Sequence, residues 1–242
     1  MRSGLILGLA LLVAEGSLVS GCSRRQAAQH GSQASADTLA NGLPRALVPL
    51  LSPWLAMWRA AIPGMEADSI RLGGVTPALR GGHAQPLSDF ESLSQEEAAA
   101  FEALTARSPD GRYRLVFDRY QAISEEDGAV DISGEPDSAP LLIDERRRLA
   151  HTFEFCGTPC GYDWGCWIDS TRFALGGWTE VDAAQDSLRG VLGVYSLADS
   201  TVARYVTRAV SSEEYARYRE AWREWVTDRY RAWKSATAAR GG

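Results

Sequence analysis

Lysine is nearly missing from this chain. The 25 Lys plus Arg residues include one lysine, Lys234. A P-loop or a lysine Schiff base would have to use that residue alone, so both are set aside. Histidine is scarce as well, with three residues in 242, His30, His83 and His151. That is few for a hydrolase or a metalloenzyme. Basic charge is in deficit, and the formal net charge is −6. A nucleic-acid partner needs a basic face to displace counterions, so none is expected. The Gly-x-Ser-x-Gly, His-Glu-x-x-His, Gly-x-Gly-x-x-Gly and calcium-loop patterns are all lacking. No cofactor is implied. An apolar run long enough to cross a bilayer is lacking too, since the run from Gly4 to Val13 is short.

What is present is informative at the amino end. Met1-Arg2-Ser3 is a short positive start, and Gly4 to Val13 has the length of a signal-peptide core. Val19-Ser20-Gly21-Cys22 follows, with an apolar residue, two small residues and a cysteine. This resembles the lipobox of bacterial lipoproteins, with Glu15 an unusual residue for such a segment. In that family a peptidase cuts before the cysteine, and the thiol carries a diacylglycerol. The resemblance implies a signal peptide over 1–21, lipidation at Cys22, and a membrane as partner through two acyl chains. It implies a periplasm-facing cell-envelope protein. Ser23 resembles the type that enteric bacteria send to the outer rather than the inner membrane. Residues 23–40 are rich in Ser, Gln and Ala and lack aromatics, so 22–40 reads as lipidated cysteine plus flexible tether.

Residues 41–242 read as a single globular α+β domain. Ser52-Pro53 suggests an N-cap and first-turn proline for a helix over 53–62, closed by Pro63-Gly64. Its Leu and Trp residues suit a core helix. Residues 69–75 suggest a short strand. Ser94 and Glu97 match a capping box that opens a helix through Thr105. From 108 the pattern turns to strands, over 112–120, 140–144, 149–156, 163–168, 172–178, 190–197 and 201–207. Acidic residues at 124–137 and 180–186 read as long loops. Ser211 and Glu214 match a second capping box, and helix 212–234 carries Tyr215, Tyr218, Trp222, Trp225, Val226, Tyr230 and Trp233 on one side. Packing on the sheet or the first helix is the plainest role for that stripe.

Ser108-Pro109-Asp110-Gly111 before a strand resembles the WD-like β-propeller repeats of Tol-type periplasmic proteins, in which each repeat is one blade. Arg112-Tyr113 and Arg172-Phe173 stand in matching places 60 residues apart. Two blade-like units fit, 108–156 and 163–208, and closed propellers use about four or more. The expectation is an antiparallel sheet of about six to eight strands in two units, covered by N-terminal helices and a long C-terminal helix, and not a closed propeller.

Cys156, Cys160 and Cys166 remain. With His151 or Asp163 they offer a metal-ligand set, but the spacing matches no trusted pattern. An exported chain favours a disulfide. Cys156–Cys160 is the first pairing, because Gly157-Thr158-Pro159 can fold back. Cys156–Cys166 is the rival, and Cys166 otherwise reads as a buried thiol beside Trp164 and Ile168. Three free thiols are the third possibility. The chemistry therefore points to a non-catalytic envelope protein that binds a protein partner or serves in assembly. Two alternatives stay open, a lipid-anchored hydrolase using loop carboxylates and a thiol redox or metal protein.

Overall fold

The computed structural model describes residues 42–79, 83–90, 102–134, 136–182 and 186–241. The signal segment, Cys22, the tether with His30, and the capping box at Ser94 and Glu97 lie outside the described residues.

The domain is α+β, and every strand pairing is antiparallel. One five-stranded sheet is a meander of β9 (Cys160–Trp167), β10 (Arg172–Asp182), β11 (Ser187–Ser196) and β12 (Thr201–Ser211). A strand from far upstream, β1 (Arg71–Pro77), pairs with the last of them. The second five-stranded sheet repeats this plan. Its meander is β3 (Thr105–Arg107), β4 (Tyr113–Val116), β7 (Leu141–Asp144) and β8 (Leu149–Thr152), and β2 (His83–Pro86) pairs with β8. Neither sheet closes on itself, and the fold is not a closed propeller.

Twelve strands among the described residues exceed the six to eight expected. β1 and β2 come from segments ahead of the β-rich stretch. The acidic loop expected at 124–137 instead holds a hairpin, β5 (Gln121–Glu126) and β6 (Ala129–Gly134). Asp127 and Gly128 turn it with φ of 51° and 79°. Two successive positive φ values are what a tight two-residue hairpin requires, and Asp-Gly supplies them.

Local chemistry explains the turns. Ser108 Oγ donates to Asp110 Oδ1 at 2.6 Å and accepts from the Tyr113 amide at 2.8 Å, so the Ser-Pro-Asp-Gly turn is closed by its own side chains. Asp169 does the same work between β9 and β10, accepting from the amides of Thr171 and Arg172, both at 2.8 Å. The strand expected over 149–156 ends at Thr152. Phe153 packs edge-on against Phe173 and Tyr195, while Phe155 is exposed.

Helix α1 (Ser52–Ala61) has Leu51, not Ser52, at its N-cap, and Pro53 lies in its first turn. It lays Trp54 and Trp58 against glycines of the first sheet, Gly176 and Gly190. The opposite face of that sheet meets the second sheet, where Trp167 stacks on Tyr113 and donates from Nε1 to the Ala106 carbonyl at 3.0 Å. Helix α2 (Ser212–Gly241) opens with the expected capping box. The Ser211 amide donates to Glu214 at 3.0 Å, and the Glu214 amide donates to Ser211 Oγ at 3.3 Å. Its aromatic stripe packs inward. Tyr218, Trp222, Val226 and Tyr230 are buried, and Tyr218 stacks on Trp58 at 4.3 Å. Among the described residues no helix is long and apolar enough to cross a membrane.

Candidate functional site

The site begins with a bulge in β9. Gly176 pairs with Trp164 and Gly177 pairs with Tyr162, so Asp163 is the extra residue between them. A bulge re-aims a side chain that a regular strand would send elsewhere. Gly177 permits it: a Cβ there would stand 1.9 Å from the Gly161 carbonyl oxygen. Asp163 turns to α2, where Tyr218 donates to its Oδ1 at 2.6 Å and Trp222 Nε1 donates to its backbone carbonyl at 2.9 Å.

Asp163 is 4% exposed, and its Oδ2 has no hydrogen-bond partner. The nearest cation is Arg219, whose Nη1 lies 3.9 Å away, and that guanidinium sits over the Trp222 ring at 4.0 Å. Burial pushes the Asp163 carboxyl up to about 7; Arg219 and Tyr218 pull against the rise and Asp118 adds to it. The same burial, together with the charge on Asp163, raises the Tyr218 phenol.

Asp163 lines a cleft of about 350 Å³. Trp178 of β10 and Tyr215 of α2 form one wall, their rings 5.3 Å apart and tilted by 54°. The end of the β5–β6 hairpin and residues 136–138 form another, and Thr158 to Gly161 the rim. Ser138 clamps these parts together. It exchanges backbone hydrogen bonds with Cys156, and its Oγ accepts from the Tyr162 amide at 3.0 Å.

Asp118 also lines the cleft and is buried, and burial raises its carboxyl too. Its oxygens are already taken by the chain's own donors. Oδ1 accepts from the amides of Tyr120 and Ala139 at 3.0 and 3.3 Å, and Oδ2 accepts from Gln121 at 3.3 Å. Asp118 thus holds loops, whereas Asp163 has a free oxygen.

Cys156 and Cys160, the first pairing expected, stand at disulfide distance with Cα atoms 5.8 Å apart, beside the cleft rim. Cys166 is free and half-buried on β9, its Sγ 3.8 Å from the Leu50 carbonyl, and burial pushes its thiol up to about 12. The rival Cys156–Cys166 bridge is not formed. Nor are the cysteines gathered with His151 and Asp163, and no group of three or more His, Cys, Asp or Glu that could hold a metal occurs among the described residues. His151 lines a separate cavity of about 210 Å³ with Asp144 and Tyr113. Of the loop acids, Asp137 reaches the cleft, while Glu125 pairs with Lys234 at 2.5 Å.

Asp163 was legible only as a possible metal ligand. Trp178, Tyr215 and Arg219 lacked any motif. The one local signal was an acidic residue between Tyr162 and Trp164, inside a strand that is otherwise apolar. No family model, curated protein or solved structure matches the chain.

Proposed function

We propose that this chain is a lipid-anchored bacterial envelope protein whose domain binds a ligand without catalysis. Cys22 carries the lipid, 22–40 is the tether, and the domain faces the periplasm, with the outer membrane the preferred site. The motif Val19-Ser20-Gly21-Cys22 supports the anchor. The domain is read as two blade-like units, 108–156 and 163–208, and the shared strand plan of the two sheets supports that.

The observation that carries the binding reading is the cleft of about 350 Å³, walled by the Trp178 and Tyr215 rings and lined by the charged pair Asp163 and Arg219. Paired-carboxylate hydrolysis needs one free acid and a second free carboxylate across the substrate. Asp118 is committed to three donors of its own chain, Tyr120, Ala139 and Gln121, which leaves Asp137 as the other carboxylate in the lining. A lipid-anchored hydrolase is the second reading, favoured by a carboxyl raised to about 7, close to the value a general acid needs. The redox reading loses support from Cys166, because a thiol raised to about 12 carries little thiolate.

Palmitate labelling of the full chain expressed in a bacterium tests the anchor. Label and membrane recovery are expected, with both lost in Cys22→Ser. An unlabelled, soluble mature chain would overturn it. Turnover of any substrate that disappears in Asp163→Asn would replace the binding reading by the hydrolase.

A further inference from the structure

We propose that the cleft takes a small carboxylate that carries one ring, with the carboxylate paired to Arg219 and the ring laid against Trp178 and Tyr215. This deepens the binding reading above and rests on it.

Arg219 is the accessible member of the charged pair. Its side chain is 29% exposed and lines the cleft, whereas Asp163 Oδ2 is sealed from solvent. A ligand therefore meets the guanidinium and not the carboxyl. That guanidinium lies over the Trp222 ring at 4.0 Å, 3.9 Å from Asp163 Oδ2, and beside the Tyr215 phenol. The ring takes no donor and Asp163 is beyond hydrogen-bond reach, so donors remain for a ligand. Its counter-charge is also incomplete. Burial pushes the Asp163 carboxyl up to about 7, so below that pH Asp163 holds its proton and Arg219 has no anion beside it. A ligand carboxylate supplies one, and its paired oxygens match the guanidinium fork. An ammonium in the same place would meet a like charge.

The walls set the rest of the ligand. Asp137 stands on the opposite wall, its Oδ1 3.8 Å from where a Cβ on Gly157 would lie. A single negative charge at Arg219 leaves that wall to a neutral group, whereas a second charge would face Asp137. Tyr215 and Arg219 are neighbours on one face of α2 at i,i+4, with about 5–6 Å between their Cβ atoms. A carboxylate held by Arg219 thus brings a ring on a short stem to Tyr215. Trp178 stands beside Tyr215 at 5.3 Å, and both are half-buried, so each keeps part of its ring facing the cleft. Gly161 seats the Trp178 ring on the backbone, since a Cβ there would stand 2.8 Å from Nε1. The volume, about 350 Å³, lies near the lower end for ligand clefts, which limits the ligand to a small one.

The sealed acid makes this binding pH-dependent. The groups that face Asp163 are Tyr215, Tyr218 and Arg219 of α2 and Asp118 from the segment after β4. Both phenols are raised by burial and keep their protons near neutral pH, and Asp118 adds to the rise at Asp163. As pH rises through about 7, Asp163 ionises, becomes the partner of Arg219 and opposes the ligand. One group titrating there lowers the affinity about tenfold from pH 6 to pH 8.

The test uses the full lipidated chain in nonionic detergent micelles, with the heat of mixing into empty micelles subtracted. Binding of phenylacetate and 3-phenylpropionate is followed by calorimetry at pH 6 and pH 8, with phenethylamine, 2-phenylethanol and phenyl phosphate as controls of other charge. Saturable binding of at least one carboxylate is expected, about tenfold tighter at pH 6 and weakened about tenfold or more by Arg219→Gln. Trp178→Ala should weaken it at both pH values. Asp163→Asn keeps the buried group neutral, so the affinity at pH 6 should persist at pH 8. Arg219 is partly exposed, so Arg219→Gln tests the contact if Trp178→Ala fails to fold. Failure of both carboxylates to bind overturns the proposal, as does binding that Arg219→Gln retains or that is equal at the two pH values. Binding of phenethylamine or 2-phenylethanol in their place, weakened by Trp178→Ala, overturns the carboxylate class and leaves the cleft as a binding site. Tighter binding of phenyl phosphate than of either carboxylate likewise overturns the carboxylate class.

Discussion

Tyr218 Oη donates to Asp163 Oδ1 at 2.6 Å, and both side chains are buried between the first sheet and helix α2. It is the shortest tie between the cleft's free carboxyl and the helix that walls it. Tyr218→Phe deletes this hydrogen bond and leaves the ring stacked on Trp58. The buried carboxyl then has no hydrogen bond on either oxygen. A loss of about 1–3 kcal/mol is expected. Urea denaturation should show a lower midpoint at unchanged slope. An unchanged midpoint would mean that water replaces the phenol at no cost.

The pH dependence of stability follows from the same carboxyl. Asp163 is raised from 3.8 to about 7 by burial. Between those values the folded protein holds a proton that the unfolded chain has released, so this group makes stability fall as pH rises and contributes no further slope above about 7. Asp169 and Glu214, lowered to about 2 by their hydrogen bonds and arginine partners, act oppositely. Their stabilisation is lost as pH falls through those values. Asp163→Asn removes only the Asp163 slope. Its stability relative to the original protein should therefore rise between pH 5 and pH 8, by about 3 kcal/mol in order of magnitude. Denaturation of both proteins at the two pH values measures this, and a pH-independent difference would refute it.

The thiols make a sharper count. Cys156 and Cys160 stand at disulfide distance, and Cys166 is half-buried with its thiol raised to about 12. Alkylation of the folded chain without reductant should be slow. In denaturant without reductant, one of these three cysteines should react, and mass spectrometry should place the label at Cys166. Three labelled cysteines would remove the disulfide. The loop it closes is short, so reduction should cost only about 2 kcal/mol.

Local features were readable in advance because local chemistry makes them. Ser211 and Glu214 cap α2 through side chains three residues apart, and Ser108 and Asp110 close their turn within six residues. The Tyr and Trp stripe of α2 follows from helical period alone. Cys156 and Cys160 meet because a Gly-Thr-Pro segment folds back. The pairings of β1 with β12 and β2 with β8 were not readable, since they join segments more than a hundred and about sixty residues apart. Asp163 is legible only as a possible metal ligand, and not as a buried carboxyl, for a related reason. Its direction depends on a bulge against Gly176 and Gly177, and its burial on a helix that begins some fifty residues later. A carboxylate in a strand carries no motif until those partners are placed.

Two glycines opposite two tryptophans give the last prediction. A Cβ at Gly176 would stand 2.5 Å from Cδ1 and Nε1 of Trp54, and one at Gly190 would stand 2.6 Å from Cε2 of Trp58. Both indoles are fully buried, so neither ring can swing into solvent without opening the core. Gly176→Ala should cost about 1–3 kcal/mol through overpacking. Gly73→Ala is the control, because its Cβ would meet only the Arg204 carbonyl at 3.5 Å, an ordinary contact. Strand propensity alone favours alanine over glycine at both sites, so a cost confined to Gly176 belongs to the ring. A double-mutant cycle separates the two effects. Trp54→Ala removes a large buried side chain and should itself cost about 3–5 kcal/mol. In that background the Cβ at Gly176 meets a cavity and not a ring, so the penalty of Gly176→Ala should shrink or reverse. A coupling above about 0.5 kcal/mol is expected. Additive losses would mean that the strain at Gly176 comes from Trp164, whose Cε3 lies 3.2 Å from the same Cβ position, and not from helix α1.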